Sequence, residues 1–588
     1  MKIYNPPIKE FKFILEAIGY DELSSISKYS GYDLPTVIEL LSEAGKFCVN
    51  ELLPLNRLGD EKGVTFDPKT HDVKLPEEFV ALYQKYVENG FGGLSQPEEF
   101  GGGGAPHLLG LLIGEMVLAT NKSFSMGPGL TKDLILAIRM NGSDEQKTTY
   151  LPPLISGEVS GTMCLTEPQA GTDLGLVSTK AVPNQDGKSY SLTGTKIWIT
   201  FGEHNFTENI LHLVLAKLPD APPGIKGISA FLVPKVLANG ERNKIFCGGI
   251  EHKLGINASP TCVMNLEGAE GYLMGEPHKG MRTMFVMMNS ARLGVGQEGV
   301  GLTEIAYQTA LAFSKDRKQS RSLNPEKVDK SSSADNILVH PDVRRMLLNI
   351  KSTNEAMRCL VFYTGKLISV SHSHPDESRR EDAEDIISLL TPVIKSYLTE
   401  RGFLNISEAM QVCGGAGYTT EWNIEQYLRD ERIAMIYEGT NHIQALDLVG
   451  RKLPMHGGRL VQKFQKEIET FLKENAANPD MGEFLGPIKE SFEKLQDVTM
   501  WMMKNAMSDP EVVGAVSSNY LNAFALATLS YMWGIQVKHA LGQDSKEAKA
   551  KLKTARYFNG NILPEIDSII SIIKKGKSNM MDFDPEEL

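Results

Sequence analysis

The sequence predicts a mainly α-helical protein built around a central β domain, and three observations carry that expectation. Apolar residues recur at helical spacing up to about position 156, short β-rich runs crowd positions 161–266, and helical spacing returns from about 281 to 575. The expected layout is an N-terminal helical domain (1–158), a small β-barrel or sheet domain (159–282), a helical bundle (283–452) and an additional C-terminal helical domain (453–588).

In the first region, 34–52 reads as an amphipathic helix and 108–119 as a more fully apolar one. Between them a glycine-rich stretch, 92–104, has no strand leading into it, so it reads as a turn or flexible loop and not as a phosphate-binding fingerprint. The runs 189–194, 196–200, 211–216, 228–233 and 262–266 are short, β-rich and split by Gly, Pro, Asp and Asn, which suggests a small antiparallel sheet or barrel. The helical runs 294–313, 341–372 and 384–404 suggest a bundle. A polar stretch at 319–336 reads as a mobile surface loop. The most apolar window, 521–537, is broken by Asn522, Ser530 and Gln536 and falls short of a spanning length, so it reads as a buried helix. Lys546, Lys549, Lys551, Lys553 and Arg556 read as a solvated helix face.

Composition narrows the function classes. A net charge of −12 argues against wholesale phosphate-backbone binding, so no nucleic-acid partner is expected. The six cysteines are scattered singly, which suits reduced, mostly buried thiols and leaves no metal site expected. The N-terminal residues lack a signal-peptide core, and with no spanning segment the expected location is cytoplasmic and off the membrane.

Three segments carry chemistry. Met163-Cys164-Leu165-Thr166-Glu167-Pro168-Gln169-Ala170-Gly171-Thr172-Asp173 combines a turn with a glycine and several hydroxyls, and can bring N–H and O–H groups up to a polar ring; standing alone it could equally be a plain connecting loop. Strand alternation sets Trp198 and Thr200 on one face, where a tryptophan beside a hydroxyl could cover a flat cofactor or be a half-buried core residue. Glu438 follows an apolar run, Ile436-Tyr437, and precedes Gly439. A carboxylate in apolar surroundings has its pKa raised and can serve as a base near neutrality, although a merely exposed glutamate would read the same.

Together and in this order, these segments resemble the acyl-CoA dehydrogenase family over positions 92–450. The resemblance implies the same succession of helical domain, β domain and bundle, with FAD between the β domain and the bundle and an acyl-CoA thioester between flavin and base. It implies α,β-dehydrogenation in which Glu438 removes the α-proton, with Tyr437 and Gly439 beside the substrate. Met163, Leu165, Thr166, Gly171 and Thr172 match the loop along the flavin, Thr172 also lying near CoA. Trp198 and Thr200 match residues on the flavin face and its reactive edge, and Arg292 an arginine close to CoA. Arg317, Gln411, Gly414 and Gly415 resemble segments that reach the FAD of a neighbouring subunit. Thr440 and His442 fall where the family touches FAD again, although glutamine is usual at the latter position. Some branches carry a second base just before the arginine; here that residue is Ala291, which cannot accept a proton.

Two departures narrow the branch. A polar insertion follows Arg317, and the chain continues from 450 to 588 beyond the bundle. Both resemble a long bacterial branch whose substrates include 3-methylmercaptopropionyl-CoA, and they imply a homodimer that passes electrons to an electron-transfer flavoprotein. Medium- or long-chain fatty acyl-CoAs, or an acyl-CoA oxidase reaction, remain as alternatives. A DNA-binding flavoprotein of the same branch would rest on the lysines at 546–553.

Overall fold

The β-rich runs close on themselves. In the computed structural model, which describes residues 3–588, strands Asn209–Lys217, Lys180–Pro183, Tyr190–Thr200, Thr261–Met274 and Ile228–Pro234 pair in that order, and the last returns to the first. Met1 and Lys2, where the reading of the N-terminus begins, lie outside the described residues. Closure removes the open edges that an exposed sheet would leave. Val159–Cys164 joins parallel to Asn209–Lys217, and Ile245–Ile250 antiparallel to Thr261–Met274.

The sheet is therefore mixed, where an antiparallel one was expected. Val159–Cys164, Lys180–Pro183 and Ile245–Ile250 were not legible as strands. The first is mostly small residues, the second ends in proline and the third contains Gly248 and Gly249, so none shows clean alternation. The expected runs 189–194 and 196–200 are one strand, Tyr190–Thr200.

The chain condenses into two compact units. One comprises Lys46–Ala105 and Thr120–Gly294 and holds the barrel. Its strand Asn209–Lys217 is buried on both faces: Leu211, Leu213 and Leu215 pack with Leu134 and Ile138 of helix Lys122–Asn141, while Val214 and Ala216 cluster with Phe231, Met264 and Leu266 inside the barrel.

The other unit comprises Met1–Gly45, Pro106–Ala119 and Val295–Leu588. Here helix Gly280–Asp316, from Val295 onward, meets helix Glu377–Cys413 backbone to backbone: a Cβ on Gly402 would stand 2.5 Å from Gly299 Cα, so only glycine fits. In the C-terminal extension, helix Pro510–Leu541 is long and apolar enough to cross a membrane by length and composition, yet 67% of that window is buried within the protein. Its polar groups are met inside: Ser530 Oγ lies 3.1 Å from Ser491 Oγ, and Trp533 Nε1 donates to Ser352 O at 3.1 Å.

The basic helix Lys546–Tyr557 is not simply a solvated face. Lys551 is buried, ion-paired to Glu10 and, at 2.8 Å, to Glu355, and donates to Gln536 Oε1 at 3.0 Å. Burial lowers its pKa against the pull of Glu10. Lys549 pairs with Asp544 at 2.5 Å and Arg556 with Glu483 at 2.7 Å, so three of the five basic residues of this helix face carboxylates. Arg358 likewise bridges Glu115 at 2.7 Å and Glu304 at 2.6 Å in the core.

The insertion after Arg317 is a folded loop, contrary to the mobile one expected. It is pinched at its base by a Lys318–Asn336 bridge and by Ile337 N donating to Arg317 O at 2.9 Å. Buried Asp335 accepts from Ser322 N at 2.7 Å and Asp329 N at 2.6 Å, replacing water for both amides. Arg317 directly follows helix Gly280–Asp316, at the base of the insertion.

Candidate active site

In the barrel unit, strand Val159–Cys164 delivers half-buried Met163, and the chain turns at Leu165 and Thr166. The turn is built on buried Glu167. Its carboxylate accepts from Gln169 Nε2 at 2.7 Å, Ser178 N and Oγ at 2.7 Å each, Thr179 N at 3.1 Å, Thr179 Oγ1 at 2.5 Å and Lys196 Nζ at 2.8 Å. Burial alone would raise its pKa; the Lys196 charge and these donors outweigh that and bring it to about 2. Lys196 Nζ also donates to Leu165 O at 3.0 Å, and Ile197 N to Thr166 O at 2.9 Å. One buried ion pair thus ties the loop to the strand that carries Trp198. Gly171 and Thr172 sit exposed beyond the turn, and a Cβ on Gly171 would meet nothing within 4 Å.

Trp198 owes its position to a β-bulge. Lys196 pairs with Met264 and Ile199 with Cys262, three steps on one strand against two on the other. The extra residue lets Lys196 and Ile199 both face inward and puts Trp198 at φ +62° with 56% of its surface exposed. Thr200 follows on the same outward side as Trp198, so the shared face holds, and the core-tryptophan alternative does not. Arg292 and Ala291 are buried on helix Gly280–Asp316. Beside them Ser290 hydrogen-bonds Asp133, whose pKa burial pushes up to about 6 despite nearby Lys132 and that bond.

In the bundle unit, Glu438 lies in a bend between the 3-10 turn Arg432–Met435 and helix Asn441–Asp447. It is half-buried and left-handed at φ +57°, followed by Gly439 at φ +82°. A non-glycine residue there costs about 1–2 kcal/mol and persists only where its surroundings impose it. Those surroundings are visible. Buried Gln444 donates Nε2 to both Glu438 O and Gly439 O at 3.1 Å, and Thr440 Oγ1 caps the helix by accepting from Ile443 N at 3.3 Å. Asn441 accepts from Lys395 Nζ at 3.1 Å and donates to Ser396 O at 3.1 Å, anchoring the bend on helix Glu377–Cys413. Tyr437 Oη donates to the Glu298 carboxylate at 2.6 Å; burial and that carboxylate push its pKa far above the usual phenol value. The strained carboxylate is therefore clamped from both sides in sequence.

Elsewhere in this unit Arg317 stacks on Phe313 at 5.0 Å, and Phe313 meets Trp422 edge-on at 5.0 Å. The turn Gly414–Tyr418 ends four residues before Trp422, and Gln411, Gly414 and Gly415 are exposed. A Cβ on either glycine would meet nothing within 4 Å. His442 is exposed, its Nδ1 3.2 Å from Ser518 Oγ of the extension. Glu167, Lys196, Gln444, Asn441 and Glu298 do the positioning, and sequence reasoning assigned them no role. Glu167, Lys196 and Asn441 had a cue, by lying inside the loop, the strand and the Glu438 segment singled out in the sequence; Gln444 and Glu298 had none.

Family models match along the chain: acyl-CoA dehydrogenase N-terminal domain at 37–158, middle domain at 162–269, C-terminal domain at 278–453, and an acetyl-CoA dehydrogenase C-terminal-like region at 464–584. The chain is 39% identical over 577 residues, 96% of each chain, to 3-methylmercaptopropionyl-CoA dehydrogenase of Ruegeria pomeroyi. It is 32% identical to a butyryl-CoA dehydrogenase of Syntrophomonas wolfei, covering 99% of this chain and 98% of that one. An acyl-CoA dehydrogenase from Bacillus anthracis, solved with FAD, has the same fold with a TM-score of 0.75 at 23% identity, covering 94% of this chain and 90% of that one.

Proposed function

The chain belongs to the acyl-CoA dehydrogenase family, FAD-dependent oxidoreductases acting on CH–CH donors, and we propose that Glu438 is its catalytic base and 3-methylmercaptopropionyl-CoA its substrate. The residues present suit the cofactor. Trp198 offers an exposed flat face, Thr172 and Thr200 offer hydroxyls, and Gly171, Gly414 and Gly415 leave backbone open to a close approach. Met163, Leu165 and Thr166 would line the flavin, Thr440 and His442 would touch it again, and Arg317 and Gln411 would reach the FAD of a second subunit in a homodimer. When bound, FAD supplies the hydride acceptor.

The chain's own work is proton abstraction and positioning. Arg292 and Thr172 hold the CoA end, while Tyr437 and Gly439 flank the acyl group. The backbone N–H of Glu438 polarises the thioester carbonyl, an interaction of the oxyanion-hole type typically worth about 3 kcal/mol. The Glu438 carboxylate then takes the α-proton, and the product is the trans-2-enoyl-CoA. The single observation that carries this reading is the clamped left-handed Glu438, a strained carboxylate whose place is imposed by Gln444, Asn441 and Tyr437. Electron-transfer flavoprotein is the proposed acceptor and the cytoplasm the proposed location.

For the substrate, the support is 39% identity across 96% of both chains. The test is anaerobic flavin bleaching by 3-methylmercaptopropionyl-, butyryl-, octanoyl- and palmitoyl-CoA. Preferential bleaching by the sulfur substrate is expected, and equal bleaching by palmitoyl-CoA would defeat that assignment. Flavin reoxidation in air as fast as with electron-transfer flavoprotein would point to an oxidase.

A further inference from the structure

A cavity of about 360 Å³ opens where bundle helices Pro341–Ser373 and Glu377–Cys413 meet helices Arg459–Asn475 and Pro510–Leu541 of the C-terminal extension. That volume falls within the range of small-molecule sites, about 300–1,000 Å³. Ile18, Leu367, Phe471 and Ile535 make its apolar wall. Phe471 and Tyr531 meet edge-on at 5.3 Å and form one corner of it.

One end of the cavity is built on Glu467. Buried Tyr363 and Tyr531 both donate to its Oε1, at 2.6 and 2.9 Å. Burial and that carboxylate push both phenols far above their usual pKa, so both hydroxyls keep their protons and stay donors. Each hydroxyl oxygen retains a lone pair, and Glu467 Oε2 has no hydrogen-bond partner among the described residues. Three acceptors thus gather around one carboxylate, and an ammonium group carries three donors. Lys366 and Arg379 line the same cavity but are engaged elsewhere. Glu22 holds Lys366 at 2.6 Å and Arg379 at 2.8 Å, and Lys366 also donates to Ile18 O at 2.8 Å.

The charges of Lys366, Arg379, Glu22 and Glu467 cancel, which leaves Lys538 unbalanced. Lys538 is exposed, has no ion-pair partner among the described residues and stands 5.9 Å from the Phe471 ring. Phe471 lies one helical turn after Glu467. An acidic pole and a basic pole therefore border the same apolar wall.

We propose that this cavity binds a free amino acid with an apolar side chain. Its ammonium group sits on Glu467 and the two tyrosine oxygens, its carboxylate on Lys538, and its side chain against Leu367, Phe471 and Ile535. A simple anion would meet Glu467 and a simple cation Lys538, whereas a wholly apolar molecule would desolvate both poles and pair neither. The contacts come from bundle and extension alike, so occupancy ties the two together and stabilises the folded chain by mass action. The site shares no residue with those assigned to dehydrogenation and stands whether or not that reading holds.

The test is isothermal titration calorimetry and thermal unfolding of the FAD-loaded protein with L-leucine and L-phenylalanine. Each is compared with its amide, which lacks the carboxylate, and with its deaminated acid, which lacks the ammonium group. An amino acid should bind saturably and raise Tm, and its two analogues should bind at least about tenfold more weakly. Glu467→Gln keeps an oxygen for both tyrosines and should erase the preference over the deaminated acid. Lys538→Met, at an exposed position, should erase the preference over the amide, with FAD content unchanged in both variants. No saturable binding of either amino acid would overturn the proposal. So would an analogue that binds as tightly as its amino acid, or variants that bind the amino acid as the wild type does.

Discussion

Replacing Lys196 by methionine keeps the length of the side chain and removes its charge from beside Glu167. In the native protein the two side chains are 0% and 1% exposed and 2.8 Å apart. Breaking a buried pair from one side costs roughly 3–5 kcal/mol. Five other donors would still reach the Glu167 carboxylate, so the lower end, about 3 kcal/mol, is expected. The pH dependence has a definite sign. Glu167 is held at about 2 in the fold, below the ordinary glutamate value, so the stabilisation is complete above roughly pH 4.5 and disappears as pH falls toward 2. Urea unfolding followed by tryptophan fluorescence should show the Lys196→Met protein weaker by that amount at pH 7, the gap narrowing by pH 3. Flavin should also be released at lower urea, because the loop carrying Thr166 loses its tie to the strand carrying Trp198. A loss under 1 kcal/mol at pH 7, or a gap equally wide at pH 3, would refute the reasoning.

Other consequences follow from single contacts. Gln444→Ala removes both bonds that hold the Glu438 and Gly439 carbonyls, and should slow flavin reduction about tenfold with FAD still bound, checked by stopped-flow absorbance. Asp133 is held at about 6, above its unfolded value, so the folded state keeps its proton and stability falls as pH rises from about 4 to about 6. Asp133→Asn should abolish that fall, read as Tm at pH 4.5 and pH 7.5. Lys551→Met takes from Glu10 its ion-pair partner and leaves Glu355 to Lys351 alone, and should destabilise by about 3 kcal/mol in thermal unfolding, without changing the salt dependence of any DNA retention.

The helices and the four regular strands were legible because their apolar periodicity runs long enough to average out exceptions. Pro341–Ser373 differs from the expected 341–372 by one residue, and Gly280–Asp316 starts where helical spacing was expected to return, at about 281, although its clearest run was placed at 294–313. The missed strands owe their pairing to neighbours rather than to their own pattern, as in Val159–Cys164, which lies parallel to a strand some fifty residues later. Glu438, Trp198 and the Gly414–Gly415 turn were legible as motifs because exposed, strained or glycine-bearing positions leave a local mark. What holds them was not. Gln444 reaches back to Glu438 from within a helix, Glu298 reaches Tyr437 from 139 residues away, and Lys551 finds Glu10 from 541 residues away. A buried pair of that separation has no signature in either of its local sequences. The lysine run at 546–553 shows the reverse error, since its charge pattern suits solvent while one member turns into the core.

The central claim is that Glu438 takes the α-proton. Its most direct test is the anaerobic rate of flavin reduction by saturating acyl-CoA in a Glu438→Gln protein, with FAD content and unfolding measured on the same sample. The account predicts a rate lower by roughly 10²- to 10⁴-fold with flavin bound and the fold intact. Near-normal reduction in the amide variant would contradict it.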